Sequence, residues 1–187
     1  MKVFDLLRVA ATSAAATVVG LANVATGRID KSPAALRAGD PAPDFDLAAS
    51  DGQRYRLSAY RGRQPVVIAW FPKAFTGGCT VECKSMASNR EALARAGVAF
   101  FGASTDDERT NRRFADSFAA GFPILSDPGK TVARAYGVLG PSGFAARHTF
   151  YIGVDGRITA IDSDVNVATH GTDIEDRLKT LGISRPA

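Results

Sequence analysis

The spacing of apolar positions along this chain changes several times, and each change marks an element. Val66 to Phe71 is an unbroken apolar run of the kind a strand buried on both faces needs, and Pro72 ends it. Thr80 to Ala96 contains neither Pro nor Gly and places Cys79, Cys83, Met86 and Leu93 near one face. It stops at Gly97, which predicts a helix with a glycine just past its end. Val98 to Ser104 predicts a further strand. Ser104 or Thr105 then caps a helix over Asp106 to Phe118, with Asp107 and Glu108 favourable in its first turn. Upstream, Phe45 to Leu47 and Tyr55 to Leu57 flank the hairpin signal Asp51-Gly52. Downstream, Pro123 to Leu125 reads as a short strand and Lys130 to Tyr136 as a short helix ending at Gly137. His148 to Val154 and Ile158 to Asp162 bracket Asp155-Gly156 as a hairpin with a two-residue turn, and Thr172 to Leu181 closes as an amphipathic helix.

Strands joined through helices, with a hairpin at the end, imply an α/β fold in which a mixed central sheet is flanked by helices, of thioredoxin-like type. A length of 187 residues with 45% hydrophobic and 22% charged residues suits one ordinary core. The formal net charge of +4 is spread in ones and twos, with only Arg112 and Arg113 adjacent, which describes a solvated surface and not a nucleic-acid stripe. No repeat period and no glycine-rich phosphate loop occurs, so no nucleotide cofactor is implied.

Residues 1–38 form a separate region. Lys2 and Arg8 precede a weakly apolar, alanine-rich stretch from Val9 to Val24, and the polar run Arg28 to Pro33 follows. The outline is that of a secretory signal or an uncleaved membrane anchor, which favours a periplasmic or membrane-anchored location over a cytoplasmic one. The stretch is short and carries Thr12, Ser13, Thr17 and Asn23, so an alanine-rich soluble helix stays open. Ala25 to Ala38 reads as linker, and residues 39–187 as the folded domain.

The chemistry concentrates at Cys79. It ends the run Pro72-Lys73-Ala74-Phe75-Thr76-Gly77-Gly78-Cys79, and Cys83, the only other cysteine, follows four residues later. Two thiols at a strand-to-helix turn fit redox or nucleophilic chemistry better than two small buried side chains. A free cysteine near pKa ~8.5 is mostly protonated at neutral pH, whereas the thiolate is the nucleophile. A helix N-terminus with unpaired N–H groups supplies partial positive charge to such an anion.

Pro72-x-x-x-Thr76-x-x-Cys79 resembles the peroxidatic motif of the peroxiredoxins, and Trp70-Phe71-Pro72-Lys73 with Gly78-Cys79-Thr80 is most similar to the peroxiredoxin Q, or bacterioferritin-comigratory, branch. Gly39 to Phe45, Phe122 to Pro128 and Arg147 to Ile152 resemble that family's opening, middle and late strand, so the likeness spans about Gly39 to Gly182. The resemblance implies a thiol peroxidase that reduces hydrogen peroxide and organic hydroperoxides without metal or prosthetic group, recycled by thioredoxin or a similar dithiol. It implies Cys79 as nucleophile, Arg147 and Thr76 as activators, Pro72 as a shield, and the N–H groups of Gly78 and Cys79 as donors to the peroxide. It makes Cys83 the candidate resolving thiol, in a monomer or weak dimer. This chain departs from the branch in three places. Cys83 is four residues on where five is usual, Gly77 stands where proline is common, and the Arg-Asp pair after the second cysteine is absent. Resolution by Cys83 and resolution by an external thiol both stay open.

A second reading starts from the same residues. Cys79-x-x-x-Cys83 with His170 resembles the copper site of Sco-type metallochaperones, and thiolates with imidazole suit Cu(I). Lys84 stands where that family has proline, and a copper site has no need of Pro72, Thr76 and Arg147. A thiol-disulfide oxidoreductase normally needs Cys-x-x-Cys, which is missing.

Overall fold

The structure is a computed structural model that describes residues 28–29 and 36–183. The signal or anchor reading of residues 1–38 falls almost wholly outside the described residues. Among the described residues no helix is long and apolar enough to cross a membrane.

Nine strands are described: β1 (Arg28–Ile29), β2 (Asp46–Ala48), β3 (Arg54–Arg56), β4 (Val66–Trp70), β5 (Ala99–Ser104), β6 (Ile124–Ser126), β7 (His148–Ile152), β8 (Ile158–Asp162) and β9 (Val165–Asn166). The described helices are α1 (Gly77–Ser88), α2 (Arg90–Arg95), α3 (Glu108–Asp116), α4 (Thr131–Ala135) and α5 (His170–Leu181). The central sheet has five strands in the order β6-β5-β4-β7-β8. β4, β5 and β6 run parallel, while β7 and β8 are antiparallel to their neighbours. β2 and β3 form a separate hairpin, and β1 pairs with β9.

β4 lies at the centre and is buried throughout, because both faces of the sheet are covered. Its side chains alternate between two cores. Val67, Ala69 and Phe71 join Cys79, Cys83 and Met86 of α1, Phe114 of α3, and Ile174 and Leu178 of α5. Val66, Ile68 and Trp70 join Phe45, Leu57, Val132 and Tyr136 on the other face. Full burial of each large apolar side chain here is worth about 1.5–3 kcal/mol.

The expected mixed α/β sheet is present, but several boundaries differ. The helix predicted over Thr80 to Ala96 is two helices. Asn89 sits between them at φ −102° and ψ 6°, and its side-chain Nδ2 donates to Ser85 O at 3.0 Å. Asn competes in this way for local backbone groups, which ends α1 without Gly or Pro. Neither Ser104 nor Thr105 caps the next helix. Asp107 does, accepting from Thr110 N at 2.7 Å, and α3 is shorter than expected. The terminal hairpin has a longer loop than two residues: Gly153 N donates to Arg157 O at 2.8 Å, and Gly156 closes the turn at φ 79°, the left-handed conformation glycine allows. α5 begins at His170, two residues before the expected start at Thr172, which brings that histidine into the helix.

Candidate active site

β4 ends at Trp70, and the next residues turn into α1. The turn is held from two sides. Phe71 N donates to Ala103 O at 2.9 Å, and Ala74 N donates to Asp106 Oδ2 at 2.8 Å. Ser104 Oγ donates to the same carboxylate and contacts Asn111 Oδ1, whose amide nitrogen donates to Ser126 Oγ at 2.9 Å. Burial raises the pKa of Asp106, while its bonds from Ala74 and Ser104 oppose that shift. Phe75, at the turn's tip, adopts φ 62° and is 53% exposed, an uncommon conformation for a bulky residue.

Thr76 occupies the N-cap position of α1, but its side chain makes no capping bond. Its hydroxyl donates instead to Lys73 O at 3.0 Å, which leaves the oxygen's lone pairs to accept from another group. The first intrahelical bond is Thr80 N to Thr76 O at 2.9 Å. The N–H groups of Gly77, Gly78 and Cys79 precede it and have no acceptor within the helix. Cys79 thus sits in the first turn of α1, fully buried, with the helix dipole's positive end beside its sulfur.

The strand register explains how Arg147 reaches this turn. Trp70 pairs with His148 across β4 and β7, so Arg147, one residue before β7, emerges opposite Phe71 where the turn into α1 begins. Its Nη2 donates to Cys79 Sγ at 3.2 Å. Arg147 is 1% exposed, which overturns any surface-charge reading. Its other terminal nitrogen, Nη1, donates to Glu82 Oε2.

Glu82 was not expected from the sequence. It lies three residues after Cys79 and therefore on the same face of α1, fully buried. Its second oxygen, Oε1, lies 3.0 Å from His170 Nδ1. His170 Nε2 lies 2.8 Å from Thr149 Oγ1, so the helix α5 and the strand β7 meet through this ring. Burial foremost, then the Arg147 charge, lower the His170 pKa to about 4, and the imidazole is neutral at neutral pH.

Cys83 lies one turn beyond Cys79, is fully buried, and like Cys79 is a free thiol. Burial, and secondarily the neighbouring Cys79, push its pKa well above the ordinary thiol value. His170 faces Glu82 and Thr149, and among the described residues no group of three or more His, Cys, Asp or Glu side chains is arranged to hold a metal ion. The copper-chaperone reading is thereby set aside.

Comparison with known proteins shows the family. The chain is 36% identical over 142 residues to Peroxiredoxin Bcp of Escherichia coli, covering 72% of this chain and 90% of that protein. The crystal structure of peroxidoxin BcpB from Mycobacterium tuberculosis superposes with a TM-score of 0.71 at 29% identity, over 78% of this chain and 97% of that one. A Xanthomonas campestris bacterioferritin comigratory protein, solved in work on its alkyl peroxide reduction activity, matches at a TM-score of 0.70 and 26% identity, over 79% of this chain and 98% of that one. The AhpC/TSA family model matches residues 38–161. With that match and a full-domain relative above 30% identity, this chain belongs to the AhpC/TSA family of peroxiredoxins.

Proposed function

We propose that the protein is a thiol peroxidase that reduces hydrogen peroxide and organic hydroperoxides, with Cys79 as its nucleophile. The observation that carries this reading is the Arg147 guanidinium donating to Cys79 Sγ in a helix first turn whose N–H groups have no acceptor within the helix. The thiolate attacks the terminal oxygen of the peroxide. An S–O bond forms as the O–O bond breaks, the sulfur is oxidised to a sulfenic acid, and the departing alkoxide or hydroxide takes a proton to leave as alcohol or water. The N–H groups of Gly78 and Cys79, with Arg147, are donors where negative charge develops. Thr76 Oγ1 accepts from the peroxide's O–H, since its own proton is committed to Lys73 O. Pro72 shields the thiolate from bulk water.

Cys83 is the resolving thiol in this reading. It attacks the sulfenic sulfur, water leaves, and the disulfide formed is reduced by thioredoxin or a similar dithiol. Helix neighbours four apart have Cβ atoms roughly 5–6 Å apart, and a disulfide needs roughly 3.5–4.5 Å. The first turn of α1 therefore unwinds before resolution, which also exposes Cys83. The protein acts as a monomer or weak dimer, residues 39–187 form the catalytic domain, and the N-terminal segment exports or anchors it.

The test uses the reduced protein with a thioredoxin system. Cys79→Ser is expected to abolish peroxide consumption, and substantial residual turnover would sink the mechanism. Cys83→Ser is expected to consume one equivalent and then stall, and unchanged turnover would remove it as resolver.

A further inference from the structure

The peroxidase reaction as described uses Cys79, Arg147 and Thr76, and leaves a buried carboxylate and a buried imidazole behind them unexplained. Arg147 has two terminal nitrogens. One points at Cys79 Sγ and the other at Glu82 Oε2, so the position of the guanidinium depends on where Glu82 is held. Glu82 has three rotatable side-chain bonds, and the polar group beside its other oxygen is His170 Nδ1, at 3.0 Å. We infer that His170 is a positioning residue for the peroxidase reaction, its Nδ1–H fixing Glu82 so that Glu82 fixes Arg147 against Cys79.

The proton assignment follows from the partners. Glu82 Oε1 and His170 Nδ1 are both buried without an aligned hydrogen bond and lie 3.0 Å apart, so a proton on Nδ1 satisfies both atoms. The ring is neutral in this buried site, so Nε2 is bare and accepts the Thr149 hydroxyl at 2.8 Å. The charged groups facing the ring come from every element around it: Glu82 of α1, Arg147 before β7, Asp162 of β8 and Asp173 of α5. Thr149 lies two residues after Arg147 and so projects from the same face, which makes the start of β7 and the residue before it the source of both the cation and the hydroxyl beside the ring. The backbone is shaped for this contact. Gly171 lies so close to α1 that a Cβ there would sit 2.3 Å from Ser85 O, and its N–H donates to Ser85 Oγ at 3.1 Å.

This inference rests on Cys79 and Arg147 as the reacting pair, and its test separates the two. The chain has only two histidines, so nitrogen NMR of the reduced, histidine-labelled protein at neutral pH reads both rings, with His170→Asn supplying the assignment. The expected result is His170 protonated at Nδ1 and bare at Nε2, and the opposite tautomer or a charged ring overturns the inference. Glu82→Gln offers one acceptor where Arg147 and Nδ1–H both demand one, so His170 is expected to move its proton to Nε2 in that variant. An unchanged tautomer there counts against the contact.

The kinetic arm uses His170→Leu and His170→Asn, the latter keeping a short amide donor. The expected loss for Leu is about tenfold in the rate of sulfenic acid formation, the worth of one buried polar contact, with Asn recovering most of it. A folded His170→Leu protein at the wild-type rate overturns the positioning role. Persistence of activity in Cys79→Ser would instead overturn the underlying reading.

Discussion

At the residue scale the site is built around one guanidinium that donates both to a cysteine sulfur and to a buried carboxyl group. Arg147 can do so because it is planar and forked, and it cannot lose its charge on burial. Replacing it by Ala removes a donor to Cys79 Sγ and leaves the buried Glu82 side chain without its cation. We expect Arg147→Ala to slow sulfenic acid formation by about 10- to 100-fold, the range of a charge-assisted hydrogen bond, measured by rapid-mixing fluorescence. A near-wild-type rate would remove it from the chemistry. The motif made Arg147, Thr76 and Cys79 legible in the sequence. Glu82 was illegible, because a glutamate in a helix ordinarily faces water, and only the packing of β7 and α5 over α1 turns it inward. His170 was visible as a candidate ligand, but its partners are far away in sequence. The i, i+3 spacing of Cys79 and Glu82 was the one signal available.

The elements that matter most are α1 and α5. Their contact is closer than ordinary side chains allow, since the backbone at Ser85 meets Gly171 directly. Gly171→Ala should push α5 off α1 and destabilise the fold by about 1–3 kcal/mol, as overpacking does. Denaturant unfolding checks this, and a variant as stable as wild type would show that the two helices slide apart freely. The same change moves His170 away from Glu82, so its rate of sulfenic acid formation should fall as well. The strands and the order of elements were legible because β4 is an uninterrupted apolar run and the helices end at glycines. The break at Asn89 was not, because the residue that stops α1 acts through a local side-chain bond and belongs to no breaker class.

For the whole molecule, the buried neutral histidine sets a pH dependence of stability. The His170 pKa falls from an ordinary 6.5 to about 4 on folding. Between those values the unfolded chain binds a proton that the folded chain does not, so stability rises with pH through that window and is lost as pH falls from about 6.5 to about 4. The full effect is roughly 3 kcal/mol at 1.36 kcal/mol per pKa unit. His170→Asn should flatten this slope in denaturant unfolding followed between pH 7 and 4, whereas an identical slope would place the titration elsewhere. The fold also gives the two thiols different surroundings, with the Arg147 guanidinium at Cys79 Sγ and Cys83 packed in the apolar cluster one turn on. The central claim is that peroxide oxidises Cys79 first, and a sulfenic acid trap tests it most directly. Reduced Cys83→Ser protein is mixed with one equivalent of hydrogen peroxide and dimedone, and its peptides are mapped by mass. The account predicts a single adduct at Cys79 with the peroxide consumed, whereas an unmodified Cys79 with peroxide remaining in solution would contradict it.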